Sequence, residues 1–229
     1  MTKRLCGIVR MGIVAAAVLS TGGVALATPV VGQKDTFTAD VANWTNGGVP
    51  DPAYISTNGA DGPTDGFMQV SSGTYGGGSR FVVFNQTQWI GNYLAAGVGR
   101  IDMDVENLDV NASALTLRIA LRSSSGGSTV PGYISTAGAV INPGTGWQHV
   151  SFPLTAASMT AVNSPAAFST FMTSVGDVRI LSSAGNPPTT MIGDSISGQG
   201  GIDNIQALPE PSVALGALAM LALGARRHK

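Results

Sequence analysis

Residues 115–122 read LTLRIALR and alternate strictly: Leu115, Leu117, Ile119 and Leu121 fall on one side, Thr116, Arg118, Ala120 and Arg122 on the other. A period of two places every apolar side chain on one face of an extended strand, whereas a helix would scatter the same leucines around its axis. Residues 99–107, GRIDMDVEN, repeat the pattern with Ile101, Met103 and Val105 on one face. Half-buried strands are therefore predicted at both places. Shorter runs of the same kind occur at 66–72, 80–85, 137–142, 147–154, 177–183 and 201–208.

Breakers separate these runs: SSGTYGGGS, SSSGGSTVPG, NPGTG, AGNPPTT and SGQGG. Only residues 164–175, SPAAFSTFMTSV, space their apolar residues at helical intervals, which predicts one short helix at an edge. Many short strands joined by glycine-rich turns predict an all-β fold, an antiparallel β-sandwich of jelly-roll kind. A body of roughly 180 residues is long enough to bury about 70% of its unfolded surface between two sheets. Residues 28–207 show no internal repeat or long linker and read as one domain, with 45–66 as its longest irregular stretch.

Both ends read as addresses. Lys3, Arg4 and Arg10 precede an apolar stretch, and Ala25-Leu26-Ala27 supplies the small-x-small pattern that signal peptidase cuts. Residues 1–27 are thus expected to form a signal helix removed on export, with Ala25 and Ala27 marking the cut. At the other end, 208–229, the apolar run Val213 to Ala225 is 13 residues long. A comfortable bilayer span needs about 20. A short apolar helix flanking the domain is expected there, followed by a basic stop of Arg226, Arg227 and Lys229, which positive-inside keeps cytoplasmic.

Between those ends, six basic residues stand against twelve acidic ones, a net charge of −6. That balance opposes nucleic acid and anionic membrane surfaces as partners. The single cysteine, Cys6, lies in the signal, so the body has no disulfide or zinc-thiolate site.

Candidate chemistry is sparse. His149 is the one histidine of residues 28–207 and reads as a solvated strand residue; no G-x-S-x-G, P-loop, H-E-x-x-H or EF-hand pattern accompanies it. Asp102, Asp104 and Glu106 share one strand face, opposite Ile101, Met103 and Val105. Such a row is either the solvated side of the strand, a cation or ligand contact, or a carboxylate pair for glycoside hydrolysis. Flat rings stack on the apolar faces of sugars, and Trp44, Trp89, Trp147, Tyr54, Tyr75 and Tyr93 are available. Tyr54 and Tyr75, in glycine-rich loops, are the favoured glycan contacts, with Trp44 beside them. Tryptophans at the start of sandwich strands otherwise plug the core or rim.

The tail, Pro209-Glu210-Pro211, the apolar run and the basic end, resembles the PEP-CTERM sorting signal of exported bacterial proteins. That resemblance implies export across the inner membrane, transient anchoring by the C-terminus, and processing by exosortase near the motif. The destination it implies is the cell surface or an exopolysaccharide-rich biofilm matrix. The body, through DTFTADVANWTNGG, WQHVSFPL and GIDNIQALPEPS, resembles carbohydrate-binding-module and galactose-binding-like jelly rolls. It implies that the first and last strands pair, and that Asp203 helps hold a structural calcium. Thr38 stands where that resemblance expects an acid, so Asp35 or Asp40 is the substitute it offers. The expected function is an exported, non-catalytic surface or matrix protein. The alternatives are a module that binds an exopolysaccharide and a secreted hydrolase of unrecognised type.

Overall fold

The computed structural model describes residues 28–48, 52–73 and 79–210. The two flanking helices expected from the sequence fall on 1–27 and 211–229, outside the described residues. Among the described residues no helix is long and apolar enough to cross a membrane.

Among the described residues, twelve strands and two one-turn helices follow one another in the order β1 (Lys34–Asp35), β2 (Ala53–Ile55), β3 (Phe67–Ser72), β4 (Val82–Asn85), α1 (Tyr93–Ala96), β5 (Arg100–Asn107), β6 (Leu115–Arg122), β7 (Gly132–Ser135), β8 (Ala139–Ile141), β9 (Gln148–Pro153), β10 (Met159–Val162), α2 (Phe168–Phe171), β11 (Asp177–Ser182) and β12 (Gly198–Leu208). They form two six-stranded sheets. Sheet A runs β2-β3-β12-β5-β9 with β1 beside β12, and sheet B runs β10-β7-β6-β11-β4 with β8 beside β6. The predicted antiparallel β-sandwich is what the chain forms, and the first and last strands pair through Lys34↔Gln206 and Asp35↔Ile205.

The alternation places the core. Ile101, Met103 and Val105 of β5, with Met68, Val70, Ile202 and Ile205, meet Leu115, Leu117, Ile119 and Leu121 of β6, with Val83, Val178 and Ile180. Each such side chain, taken from water to full burial, contributes about 1.5–3 kcal/mol.

The other face of sheet B departs from expectation. Arg118 and Arg122, on the polar side of LTLRIALR, are only 2% and 1% exposed. Connecting segments cover them, and Met191 from the β11–β12 connection joins Ala120, Ile134, Val162 and Leu181 in a second apolar cluster. Arg118 donates to the carbonyls of Ser183, Ser135 and Gly185 at 2.7–2.8 Å, and also to that of Thr136. Arg122 Nη2 donates to Gly126 O and Gly127 O at 2.8 and 3.0 Å. A planar five-donor fork can satisfy several loop carbonyls at once, which lets those loops lie on a sheet without orphaned acceptors.

The predicted helix at 164–175 shrinks to α2, which sets Phe168 and Phe171 edge-on against Tyr133. The irregular stretch 45–66 contains β2 and a bridge between Gly59 and Gly62.

Candidate functional site on the outer face of sheet A

The outer face of sheet A gathers acidic, amide and aromatic side chains, with residues 58–61 lying over part of it. Its rows are set by register. Gly201 pairs with Gln69 on one side and Glu106 on the other, and Val105 pairs with Gln148, so Trp147 comes next opposite Glu106. One line across four strands therefore reads Gln69, Gly201, Glu106, Trp147.

Trp147 is half-buried and reaches back across the sheet. A Cβ at Gly201 would come 2.7 Å from the indole Cη2, and the ring meets Phe67 edge-on at 5.3 Å. Its Nε1 donates to Asn58 O at 3.1 Å. Three contacts thus hold a part-exposed ring over a bare stretch of backbone. The side chains of Glu106 and Gln69, both half-buried, have no hydrogen-bond or ion-pair partner among the described residues. Burial pushes the Glu106 carboxyl above its ordinary pKa.

The next row is a charged network. His149 Nδ1 lies 2.9 Å from Asp104 Oδ1, and Nε2 lies 3.4 Å from Asp102 Oδ2. The ring is exposed, as the alternation predicted, but it is bridged to two carboxylates and is not the isolated residue expected. Its hydrogen bond to Asp104 raises its pKa, against the opposing effect of burial. Asn204 Nδ2 donates to Asp104 Oδ2 at 2.8 Å and Asp61 Oδ2 at 3.3 Å. A bulge in β12 brings this about: the register shifts between Asp203 and Gln206, and Asn204 takes a φ of 52°, a conformation asparagine tolerates better than most residues. Ser151 Oγ donates to Asp102 Oδ1 at 2.7 Å rather than meeting His149, so base and hydroxyl are not joined as an acyl-transfer relay requires.

Asp203 is fully buried beneath this network. Its Oδ2 accepts from Ala60 N at 3.1 Å and its Oδ1 from Asn204 N at 2.7 Å. Burial, together with the facing Asp65, pushes its pKa up to about 7.

The three residues implied for calcium are not brought together. Asp35 Oδ2 accepts from the indole nitrogens of Trp44 and Trp89 at 2.8 and 2.7 Å, which makes it an anchor of the core edge. Asp40 Oδ1 accepts from Ala42 N at 2.8 Å in an exposed turn. Among the described residues no three Asp, Glu, His or Cys side chains converge as a metal site.

The favoured glycan contacts also move. Trp44 is 2% exposed and belongs to the core, because its N–H is claimed by Asp35. Tyr54 packs on that core and donates its hydroxyl to Thr38 O at 2.9 Å, so its ring is not a free platform. Tyr75 lies outside the described residues, as do Ala25, Ala27, Pro211, Arg226, Arg227 and Lys229. Pro209 and Glu210 follow β12, and Glu210 lies against Gly99 at an apolar cleft of about 280 Å³ lined by Tyr93, Leu94, Val98 and Met172.

Sequence reasoning passed over Trp147 as a plug and read Glu106 as one of three equivalent acids. The available signal was GQGGIDNI: glycines inside a strand mark close approach of another group, and here that group is the indole.

No family model and no curated protein matches the chain. Among solved structures, it is similar to a family 11 carbohydrate-binding module from Clostridium thermocellum, solved with a β-1,3-1,4-mixed-linked tetrasaccharide, at 14% identity and TM-score 0.48, covering 79% of this chain and 97% of that one. A CBM22-1 xylan-binding domain from Paenibacillus barcinonensis aligns at 11% identity and TM-score 0.45, covering 79% and 97%. A surface glycan-binding protein from Prevotella bryantii aligns at 14% and 0.42, covering 79% of this chain and 56% of that one.

Proposed function

We propose that this protein is an exported, non-catalytic carbohydrate-binding module whose ligand lies on the outer face of sheet A. The supporting observation is the line Gln69, Gly201, Glu106, Trp147. Sugars are recognised by an apolar ring against a pyranose face and by planar polar groups that pair with its hydroxyls. Here a half-buried indole is held beside an unpaired amide and an unpaired carboxylate. Retardation of the purified protein in native gels cast with polysaccharides tests the reading. Wild type should be retarded, and Trp147→Ala should lose about tenfold or more of its affinity, as for a buried aromatic anchor. Equal mobility of the two proteins on every polysaccharide sinks it.

The export reading accompanies this one. Residues 1–27 and the Pro209-Glu210-Pro211 tail support passage through signal peptidase and exosortase to the cell surface or matrix. Mass spectrometry of the mature protein should find a chain that begins near Thr28 and ends near Pro209. An intact C-terminus through Lys229 would remove the processing step.

A further inference from the structure

The outer face of sheet A is short of donors around Trp147. Glu106 has no partner among the described residues, and the neighbouring rows add Asp104, Asp61, Asp65 and Asp203. Asn204, 7% exposed, gives its Nδ2 to Asp104 and Asp61 and leaves its Oδ1 buried without a donor. The cations are elsewhere. Arg118, Arg122 and Arg179 are buried under the loops of sheet B, and Arg80 Nη1 is held by Gly193 O. Lys34 and Arg100 lie at the Asp102 end of the face, and His149 is already bridged to Asp102 and Asp104.

Ligand chemistry follows from that imbalance. The carboxylate of a uronate brings only acceptors and meets like charge. A neutral hydroxyl brings one donor per oxygen. An ammonium brings three donors, no acceptor and a positive charge, and charge-assisted hydrogen bonds to carboxylates are about twice as strong as neutral ones. Resting on the carbohydrate-binding reading above, we infer that the ligand is an amino-polysaccharide, a polymer containing hexosamine with free amines, whose ring stacks on Trp147 while its ammonium pairs with Glu106.

Calorimetric titration of the purified full chain, in mildly acidic buffer where sugar amines are protonated, tests this with four probes: β-1,4-linked glucosamine oligomers, their fully N-acetylated counterparts, cello-oligomers and oligogalacturonate. Glucosamine oligomers should bind about tenfold tighter than the N-acetylated ones, the scale of one charge-assisted contact, and oligogalacturonate should bind most weakly. Glu106→Gln should remove the preference for the amine. Asp109→Asn, which changes the net charge equally in the turn after β5, where Asp109 Oδ1 accepts from Asn111 N, should keep it. If N-acetylated and free-amine oligomers bind alike, the amine inference falls and the platform reading stands. If no probe of any class binds, the platform reading falls with it. A preference that survives Glu106→Gln, or disappears equally in Asp109→Asn, overturns the assignment to Glu106.

Discussion

Gly201 lies beneath the indole of Trp147, closely enough that a Cβ there would stand 2.7 Å from Cη2 and 3.3 Å from Phe67 Cδ2. The requirement for glycine is steric, set by a ring packed on the strand. Gly201→Val should therefore push the indole off the sheet, breaking its edge contact with Phe67 and its hydrogen bond to Asn58. We expect loss of polysaccharide retention, a red shift in tryptophan fluorescence, and about 1–3 kcal/mol of destabilisation from overpacking. Fluorescence and retention both identical to wild type would show that the ring is not held there.

Asp35 should matter to stability and not to binding. One carboxylate oxygen accepts both buried indole N–H groups, and Gln88 Nε2 lies 3.3 Å from it. Asp35→Ala leaves two buried donors without an acceptor. At about 1–3 kcal/mol for each orphaned group, urea unfolding should reveal a loss of several kcal/mol, with altered near-ultraviolet circular dichroism from Trp44 and Trp89. A midpoint unchanged from wild type would remove the anchor role.

The long alternating strands were legible because one face is core and the other is not: β5 and β6 appear in the sequence almost residue for residue. The short, wholly buried β7 was not. β7 is buried at all four positions, so Tyr133 and Ile134 give no period to read. The polar side of β6 misled for a related reason. Two arginines on the polar side of an alternating strand signal solvent, yet such a fork can be closed by loop carbonyls contributed 65 residues away, as Ser183 does for Arg118. The site was half legible. The acids of β5 share a face as predicted, but which of them is unpaired depends on the β12 bulge and on His149, both settled by tertiary pairing.

Asp203 predicts a pH dependence. Its folded pKa, about 7, is raised above the ordinary value of 3.8 by burial and by Asp65. The folded state thus holds a proton that the unfolded chain releases. Its contribution to stability is greatest at the acidic end and declines as pH rises from about 4 to about 7. Asp203→Asn keeps the shape without the charge, so the difference between variant and wild-type stability should grow in the variant's favour across that window. His149 works in the same direction, because its raised pKa also means stability lost as pH rises through the folded value. At 63% side-chain exposure its share should stay below about 1 kcal/mol. Urea midpoints at half-unit pH steps provide the measurement, and parallel wild-type and Asp203→Asn curves would contradict it. Repeating the series with chelator separates proton from cation: a wild-type curve that drops in chelator would show that a bound cation, and not only the Asp203 proton, contributes to stability.

Asp177 carries an expected loss of the same order as Asp35. It is fully buried between two guanidiniums, 3.0 Å from Arg179 Nε and 3.6 Å from Arg122 Nη1. Burial raises its pKa, and the attraction of Arg179 and Arg122 works against that. Arg179 has further support from the Phe84 ring, 5.0 Å from its guanidinium carbon, whereas Arg122 keeps only its two loop carbonyls. Asp177→Asn leaves two buried cations facing each other without the charge that separates them, a change of about 3–5 kcal/mol for a broken buried pair. Adding Arg122→Met to Asp177→Asn removes one of those cations, so the double variant should be more stable than Asp177→Asn alone. Thermal unfolding of the two variants decides the matter: a double variant no better than the single one would mean that Arg122 is held by its loop carbonyls and not by Asp177.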